Sequence, residues 1–275
     1  MCAVFARRRN LAIAALALGV ISAGPALWAA IPSEPASPSL VSLRLMTINV
    51  NADNINAASI DREVRAADPD IVVMQEFRPV LESLLKPTLQ ERYPYLRSST
   101  PNAGVAIYSK GPVMVSAADQ FIGMEDPGRA RYEVELGGKT VALYVVHVPR
   151  FDSINSFRRS RIELARLMAF ITTDPLPVIV AGDFNFTDQT PNAAALRDLR
   201  LRSCYDLAGG GFGGTRPVDA PVLKHCFGFR IDHVFVHTPI TCSKYYIGGP
   251  VGSDHLPVIV DLGLEAPSNG KPIDR

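Results

Sequence analysis

Six short apolar runs in this chain stop or start on an acid, an amide or a histidine. Asn49 closes Leu-Met-Thr-Ile, Glu76 follows Ile-Val-Val-Met-Gln, His147 ends Val-Ala-Leu-Tyr-Val-Val, and Asp183 and Asn185 follow Pro-Val-Ile-Val-Ala-Gly. Asp232 lies within Ile-Asp-His-Val-Phe-Val, and Asp254-His255 precedes Leu-Pro-Val-Ile-Val. Taken singly, each polar residue reads as a turn former, a helix cap or a packed ring. Burying a charge or an amide without a partner is costly, so the repetition of the pattern needs a joint explanation. Strand ends that converge on one polar site supply it. Such a site offers oxygen ligands to a hard cation and imidazoles for acid/base or phosphate contacts.

The runs read as strands over 43–50, 71–75, 105–109, 132–136, 141–148, 178–181, 231–236 and 257–262, because they are short, β-branched and bounded by turn residues. Gly137-Gly138 between two of them marks a hairpin. Helical spacing appears at Ile60, Val64 and Ala67, at Val80, Leu84 and Leu85, and at Ile162, Ala165, Leu167 and Ala169, the last within a helix expected over 156–171. Strands apolar on both faces, with helices between them, predict sheets packed on each other and covered by helices, a layered α/β sandwich.

Ahead of these runs, Arg7, Arg8 and Arg9 precede an uncharged stretch from Leu11 to Ala30, a length that spans a bilayer. The arginines place the N-terminus in the cytoplasm and everything after Ala30 outside, held by an uncleaved anchor or exported by a cleaved signal. The expected organisation is a signal or anchor over 1–30, a Pro/Ser-rich spacer over 31–40, one domain over 41–265 and a polar tail over 266–275. Setting aside the three arginines of the head leaves 25 basic residues against 27 acidic ones. That balance disfavours a protein that holds nucleic acid mainly through its phosphates. Cys204, Cys226 and Cys242 form no Cys-x-x-Cys pair, which argues against zinc and leaves one disulfide with one free thiol open.

Gln75-Glu76, Gly182-Asp183-Phe184-Asn185, Ile231-Asp232-His233 and Ser253-Asp254-His255-Leu256-Pro257 occur in an order and at spacings that are recognisable. From about Leu43 to Leu262 the chain resembles the endonuclease/exonuclease/phosphatase superfamily, whose branches include deoxyribonuclease I, abasic-site endonucleases, neutral sphingomyelinases and inositol polyphosphate phosphatases. The resemblance implies a four-layered α/β sandwich that cleaves a phosphate ester with water, using a divalent cation, Mg2+ or Mn2+. It implies Glu76 as principal metal ligand, with Asn49 beside it and Asp254 nearby. Asp183 would orient or deprotonate the attacking water, and Asn185 would hold it or a phosphate oxygen. His255, oriented by Asp232, would contact the scissile phosphate, with His147 doing so from the other side. The residue types suit the chemistry, because water needs a carboxylate base while phosphoryl oxygens need donors and cations.

Two positions depart from the family pattern: Asn51 stands where many members carry an acid, and His147 where abasic-site endonucleases tend to place tyrosine. The histidine resembles the deoxyribonuclease I and sphingomyelinase branches. Strand alternation turns His233 away from Asp232, so it is expected to be non-catalytic, as are His225 and His237. Arg150, Arg158, Arg159 and Arg161 read first as a solvated face and second as cations for a phosphate-bearing substrate. The run Gly209 to Gly214 lacks the lysine of a phosphate loop, so it is a flexible substrate-side loop or a plain connector. The expected function is a metal-dependent phosphoesterase cleaving a phosphodiester, nucleic acid or phospholipid headgroup, outside the cytoplasmic membrane. Nucleic acid enters only as substrate, and the membrane only through the N-terminal segment. A phosphate monoesterase and a catalytically silent binding module are the alternatives. A serine hydrolase lacks the Gly-x-Ser-x-Gly elbow.

Overall fold

The apolar runs become strands because β-branched residues fit a pleated surface, and they are apolar on both sides because both sides are covered. The computed structural model describes residues 41–98, 104–115, 129–216 and 228–265. The expected membrane segment, spacer and tail, with Cys226 and His225, lie outside the described residues. No helix among the described residues is long and apolar enough to cross a membrane.

Strands β1 (Leu43–Asn49), β2 (Ile71–Phe77), β3 (Tyr95–Ser98) and β4 (Gly104–Ser109) belong to one sheet. The next four, β5 (Arg129–Leu136), β6 (Lys139–His147), β7 (Val178–Asp183) and β8 (Arg202–Ser203), belong to a second, which β9 (Asp232–Val236) joins. The chain then returns to the first sheet with β10 (Ile240–Ile247) and β11 (Val258–Leu264). The orders are β10-β11-β1-β2-β4-β3 and β5-β6-β7-β9-β8. Helices α1 (Ala57–Ala67) and α2 (Pro79–Leu89) pack on the six-stranded sheet, while α3 (Ile154–Thr173) and α4 (Pro191–Asp198) cover the five-stranded one. A short α5 (Cys204–Ala208) follows β8.

Alternation along each strand distributes side chains between layers. Leu45, Val73, Ile107, Leu143, Ile179 and Val260 fill the space between the sheets. Their neighbours Met46, Ile48, Val72 and Met74 face Ile60, Val64, Leu81 and Leu85 of the helices. Tyr144, Val146 and Val180 face Leu164, Leu167 and Leu196. The result is the four-layered α/β sandwich.

Several local expectations need correction. On α2 the buried stripe is Leu81, Leu85 and Leu89, whereas Val80 and Leu84 are exposed. On α3 it is Ser160, Leu164, Leu167 and Ile171, so Ile162, Ala165 and Ala169 face solvent. In both helices the sequence contains two apolar stripes at helical spacing, and periodicity alone does not choose between their phases. Strands β3, β8 and β10 and helices α4 and α5 were not expected. The hairpin at Gly137-Gly138 joins β5 to β6, with both glycines at positive φ. Cys204 and Cys242 are buried free thiols lying side by side, and burial, then their mutual hydrogen bond, pushes the Cys204 thiol well up.

Strand direction places the polar residues. β1 and β2 run parallel with Asn49 opposite Gln75, and β6 and β7 run parallel with His147 opposite Asp183. β9 runs antiparallel to β7, which sets its first residue, Asp232, against Asp183, the last of β7. Strand ends from both sheets therefore meet at one end of the sandwich.

Candidate active site

The amide of Asn49 reaches from one sheet to the other at that end. Asn49, buried at the end of β1, donates through Nδ2 to Glu76 Oε1 at 2.9 Å and to Asp183 Oδ2 at 3.0 Å. An aspartate there would add a third negative charge and remove the donor. Glu76 Oε2 also accepts from the Ala52 N–H at 3.0 Å. Asp183 accepts from the Asn185 N–H at 2.8 Å and from Asn185 Nδ2 at 3.2 Å, so the tight turn after β7 folds the amide back on the acid. His147 Nε2 stands 3.6 Å from Glu76 Oε1 and 3.8 Å from Asp183 Oδ2, between the two acids.

The loop before β11 closes the site. Ser253 Oγ donates to Asn49 O at 2.7 Å and accepts from the His255 N–H at 3.0 Å, which pins this loop to β1. His255 Nδ1 donates to Asp232 Oδ2 at 2.9 Å, and its Nε2 lies 3.8 Å from Asp183 Oδ2. Asp254 accepts from Asn51 Nδ2 at 3.0 Å and from Arg216 at 2.5 Å. The eight residues singled out in the sequence, Asn49, Glu76, His147, Asp183, Asn185, Asp232, Asp254 and His255, thus share one network, with Asn51 linking Asp254 to Asn49. The neutral Asn51 serves as a donor to Asp254.

Three non-glycine members of the site hold left-handed backbone: Asn51 at φ 62°, Glu76 at 57° and Asn185 at 51°. The pairing of β2 with β4 breaks between Met74 and Phe77, so Glu76 sits on the irregularity, where the strand no longer dictates its direction. Gly182 is there for space, because a Cβ on it would lie 1.9 Å from Val146 O. His233 faces away as alternation requires: it is buried, its Nε2 is 2.8 Å from Phe186 O, and Phe184, Phe186 and Phe235 surround it. His237 Nε2 lies 3.0 Å from Leu199 O, remote from the network.

The titration tendencies divide the site. Burial, then the charge of Asp232, pushes the Asp183 carboxyl above its ordinary value. Burial opposes a charged His255, but Asp232, Asp183 and Asp254 outweigh it and raise the imidazole to about 9. Burial likewise works against ionised Glu76 and Asp254, yet both are held below the usual carboxylate range. The Asn49 donor, His147 and the Ala52 N–H lower Glu76, while the Asn51 donor, His255 and Arg216 lower Asp254.

Two carboxylate sets could hold a cation. Ligand atoms of Asp183, Asp232 and His255 all lie within 4.8 Å of one another. In that set the imidazole is raised to about 9, which favours its protonated form and makes it a poor ligand. Glu76 and Asp254 are partly exposed, ionised and oriented by donors, and this fits a hard cation that takes oxygen ligands and water.

Sequence reasoning missed Thr215 and Arg216. Thr215 Oγ1 accepts from the N–H groups of Ile231 at 3.2 Å and Asp232 at 3.3 Å, and its carbonyl accepts from the Leu256 N–H at 2.9 Å. It therefore sets the start of β9 against the His255 loop. A cleft of about 500 Å3 opens beside the network, lined by Arg150, Phe151, Asn185, Arg216, Phe229 and Asp254 among others.

A sequence profile of the Endonuclease/Exonuclease/phosphatase family matches residues 46–255, which include all eight site residues. The chain belongs to this family. Its fold is similar to that of a 3′ phosphatase from Neisseria bound to product DNA hairpin, at 19% identity and TM-score 0.66 over 79% of this chain and 98% of that one. A family member from Bacteroides vulgatus is similar at 21% identity and TM-score 0.63, covering 81% and 99%. An AP endonuclease from Archaeoglobus fulgidus is similar at 19% identity and TM-score 0.62, covering 79% and 98%. No curated protein sequence matches the chain. The chain thus has the phosphoesterase and nuclease fold of the family.

Proposed function

We propose that the protein is a divalent-cation-dependent phosphoesterase that hydrolyses a phosphodiester outside the cytoplasmic membrane. The observation that carries this reading is the unbroken hydrogen-bonded link from Glu76 through Asn49 to Asp183, with His255 and its partner Asp232 beyond. Asp183, fully desolvated and fixed by two amides, positions the attacking water and accepts its proton. Asn185 holds that water or a phosphoryl oxygen. His255, whose Nδ1–H is committed to Asp232, presents Nε2 to the phosphate, and His147 approaches from the Glu76 side. A divalent cation held by Glu76 and Asp254, with Asn49 beside them, would supply positive charge to the phosphoryl oxygens. The location rests on Arg7 to Arg9 and the uncharged Leu11 to Ala30.

The test is release of 4-nitrophenol from bis(4-nitrophenyl) phosphate, with 4-nitrophenyl phosphate as the monoester control. Hydrolysis of the diester should vanish on chelation and return with magnesium or manganese. Glu76→Gln should raise the cation requirement and reduce turnover. Activity unchanged after exhaustive chelation would overturn the reading.

A further inference from the structure

The cleft beside the network is organised around one pair of backbone positions. Arg216 and Phe229 face each other across an isolated antiparallel bridge, each N–H bonded to the other's carbonyl. The bridge needs the glycines before it, since a Cβ on Gly214 would lie 2.5 Å from Gly228 O. Thr215, next in the chain to Arg216, is the residue that holds the start of β9 and the His255 loop. A cation and a phenyl ring are therefore mounted side by side on the frame that positions Asp232.

Both are poised for a ligand. Phe229 is 58% exposed although its own backbone is paired with Arg216, and Phe151 is 38% exposed at the same cleft. A guanidinium has five N–H donors, and the Arg216 contact with Asp254 at 2.5 Å uses one. Arg150, exposed, adds a second guanidinium to the lining. Two cations and two partly exposed aromatic rings, Phe151 packed edge-to-face on Phe157, in a cleft of about 500 Å3 fit one anionic group attached to one flat ring system. Counted after Arg9, the chain carries 25 basic residues against 27 acidic ones, a balance that provides no general attraction for a polyanion.

Resting on the phosphoesterase reading above, we propose that this cleft takes a single nucleotide unit. Its phosphate would be held by Arg216 with Arg150, and its base would lie against Phe229 and Phe151. Arg216 is then the specificity-determining residue of the site, and the substrate class is a small nucleotide phosphodiester.

Binding to the full chain in detergent, free of metal, tests this without relying on turnover. Calorimetric titrations would use 5′-AMP, adenosine, inorganic phosphate and phosphocholine. Base stacking should make AMP bind at least about tenfold more tightly than phosphate or phosphocholine, with adenosine alone weaker than AMP. Phe229→Leu should shrink the margin of AMP over phosphate to under about threefold. Arg216→Ala should weaken AMP and phosphate together by at least about tenfold, and the exposed Arg150→Ala gives the same test should the first variant not fold. Phosphocholine binding as tightly as AMP would overturn the nucleotide class in favour of a lipid headgroup. AMP binding unaltered in either folded arginine variant would overturn the phosphate assignment. Loss of the cleft proposal leaves cation-dependent hydrolysis of bis(4-nitrophenyl) phosphate intact, so the two readings fail separately.

Discussion

The two sheets contribute opposite electrostatic halves to one site. The six-stranded sheet and its loops bring Glu76 and Asp254, partly exposed acids whose donors hold them below the ordinary carboxylate range. The five-stranded sheet brings Asp183, a fully buried acid pushed upward, beside Asp232 and an imidazole raised to about 9. One half is built to stay anionic and the other to hold a proton. His255 belongs to the first by chain position and to the second by contact, and Asn49 is the seam between them. Groups whose proton affinities are driven apart within one cleft suit hydrolysis, where one centre collects cations while the other moves protons.

The strongest way to break this division is to remove the proton half alone. Asp183→Asn and His255→Ala should each lower kcat by at least about a hundredfold with the fold preserved, since a positioned base or donor is typically worth about 10² to 10⁴ in rate. Circular dichroism would confirm folding, and rates on the diester would check the loss. A folded His255→Ala with near-normal kcat would show that the proton half is not used.

Stability against pH sharpens the comparison, because the halves respond with opposite sign. Glu76 and Asp254, lowered in the folded state, stabilise it above the usual carboxylate range, and that contribution is lost as pH falls through their folded values. His255, raised, stabilises the fold fully below its unfolded value, and the contribution is lost as pH rises towards about 9. Asp183, also raised, makes the fold less stable as pH climbs out of the carboxylate range. Urea unfolding of the metal-free protein should therefore weaken at both extremes. Asp254→Asn should flatten the acid limb. Asp232→Asn should flatten the alkaline limb, by no more than about 3 kcal/mol, since each pKa unit is worth about 1.4 kcal/mol. An alkaline limb unchanged in Asp232→Asn would mean that Asp232 does not hold the charge on His255.

The smallest expected effect is at His233, adjacent to Asp232 on the same strand. His233→Ala empties a site among Phe184, Phe186 and Phe235 and should lower the melting temperature, yet change kcat by less than about tenfold. If it proved as damaging to rate as His255→Ala in a folded protein, the division of roles across β9 would be wrong.

The positions that were legible in the sequence are those where local physics leaves a mark. An acid or amide at the end of an apolar strand is conspicuous because burial is costly, so the eight network residues stand out in the sequence alone. Strand β10 did not, because its register shifts between Cys242 and Lys244 and breaks the alternation. Strand β3 is half exposed and carries no apolar run. Arg216 gave no local signal at all: its meaning comes from Asp254, 38 residues along the chain, and from the bridge to Phe229. The stripe Ile60, Val64 and Ala67 of α1 was read correctly, whereas those of α2 and α3 were misphased because Val80 and Ile162 satisfy the same period as the buried residues.

Glu76 sits in left-handed backbone at φ 57°, a conformation that asparagine and glycine accept and that glutamate does not favour. Within the fold the donors of Asn49 and Ala52 offset that conflict. Glu76→Asn would relieve the conflict and take a carboxylate from the site, so the variant should fold while losing cation-dependent turnover. Residue 76 is the position where what the backbone prefers and what the site requires pull furthest apart.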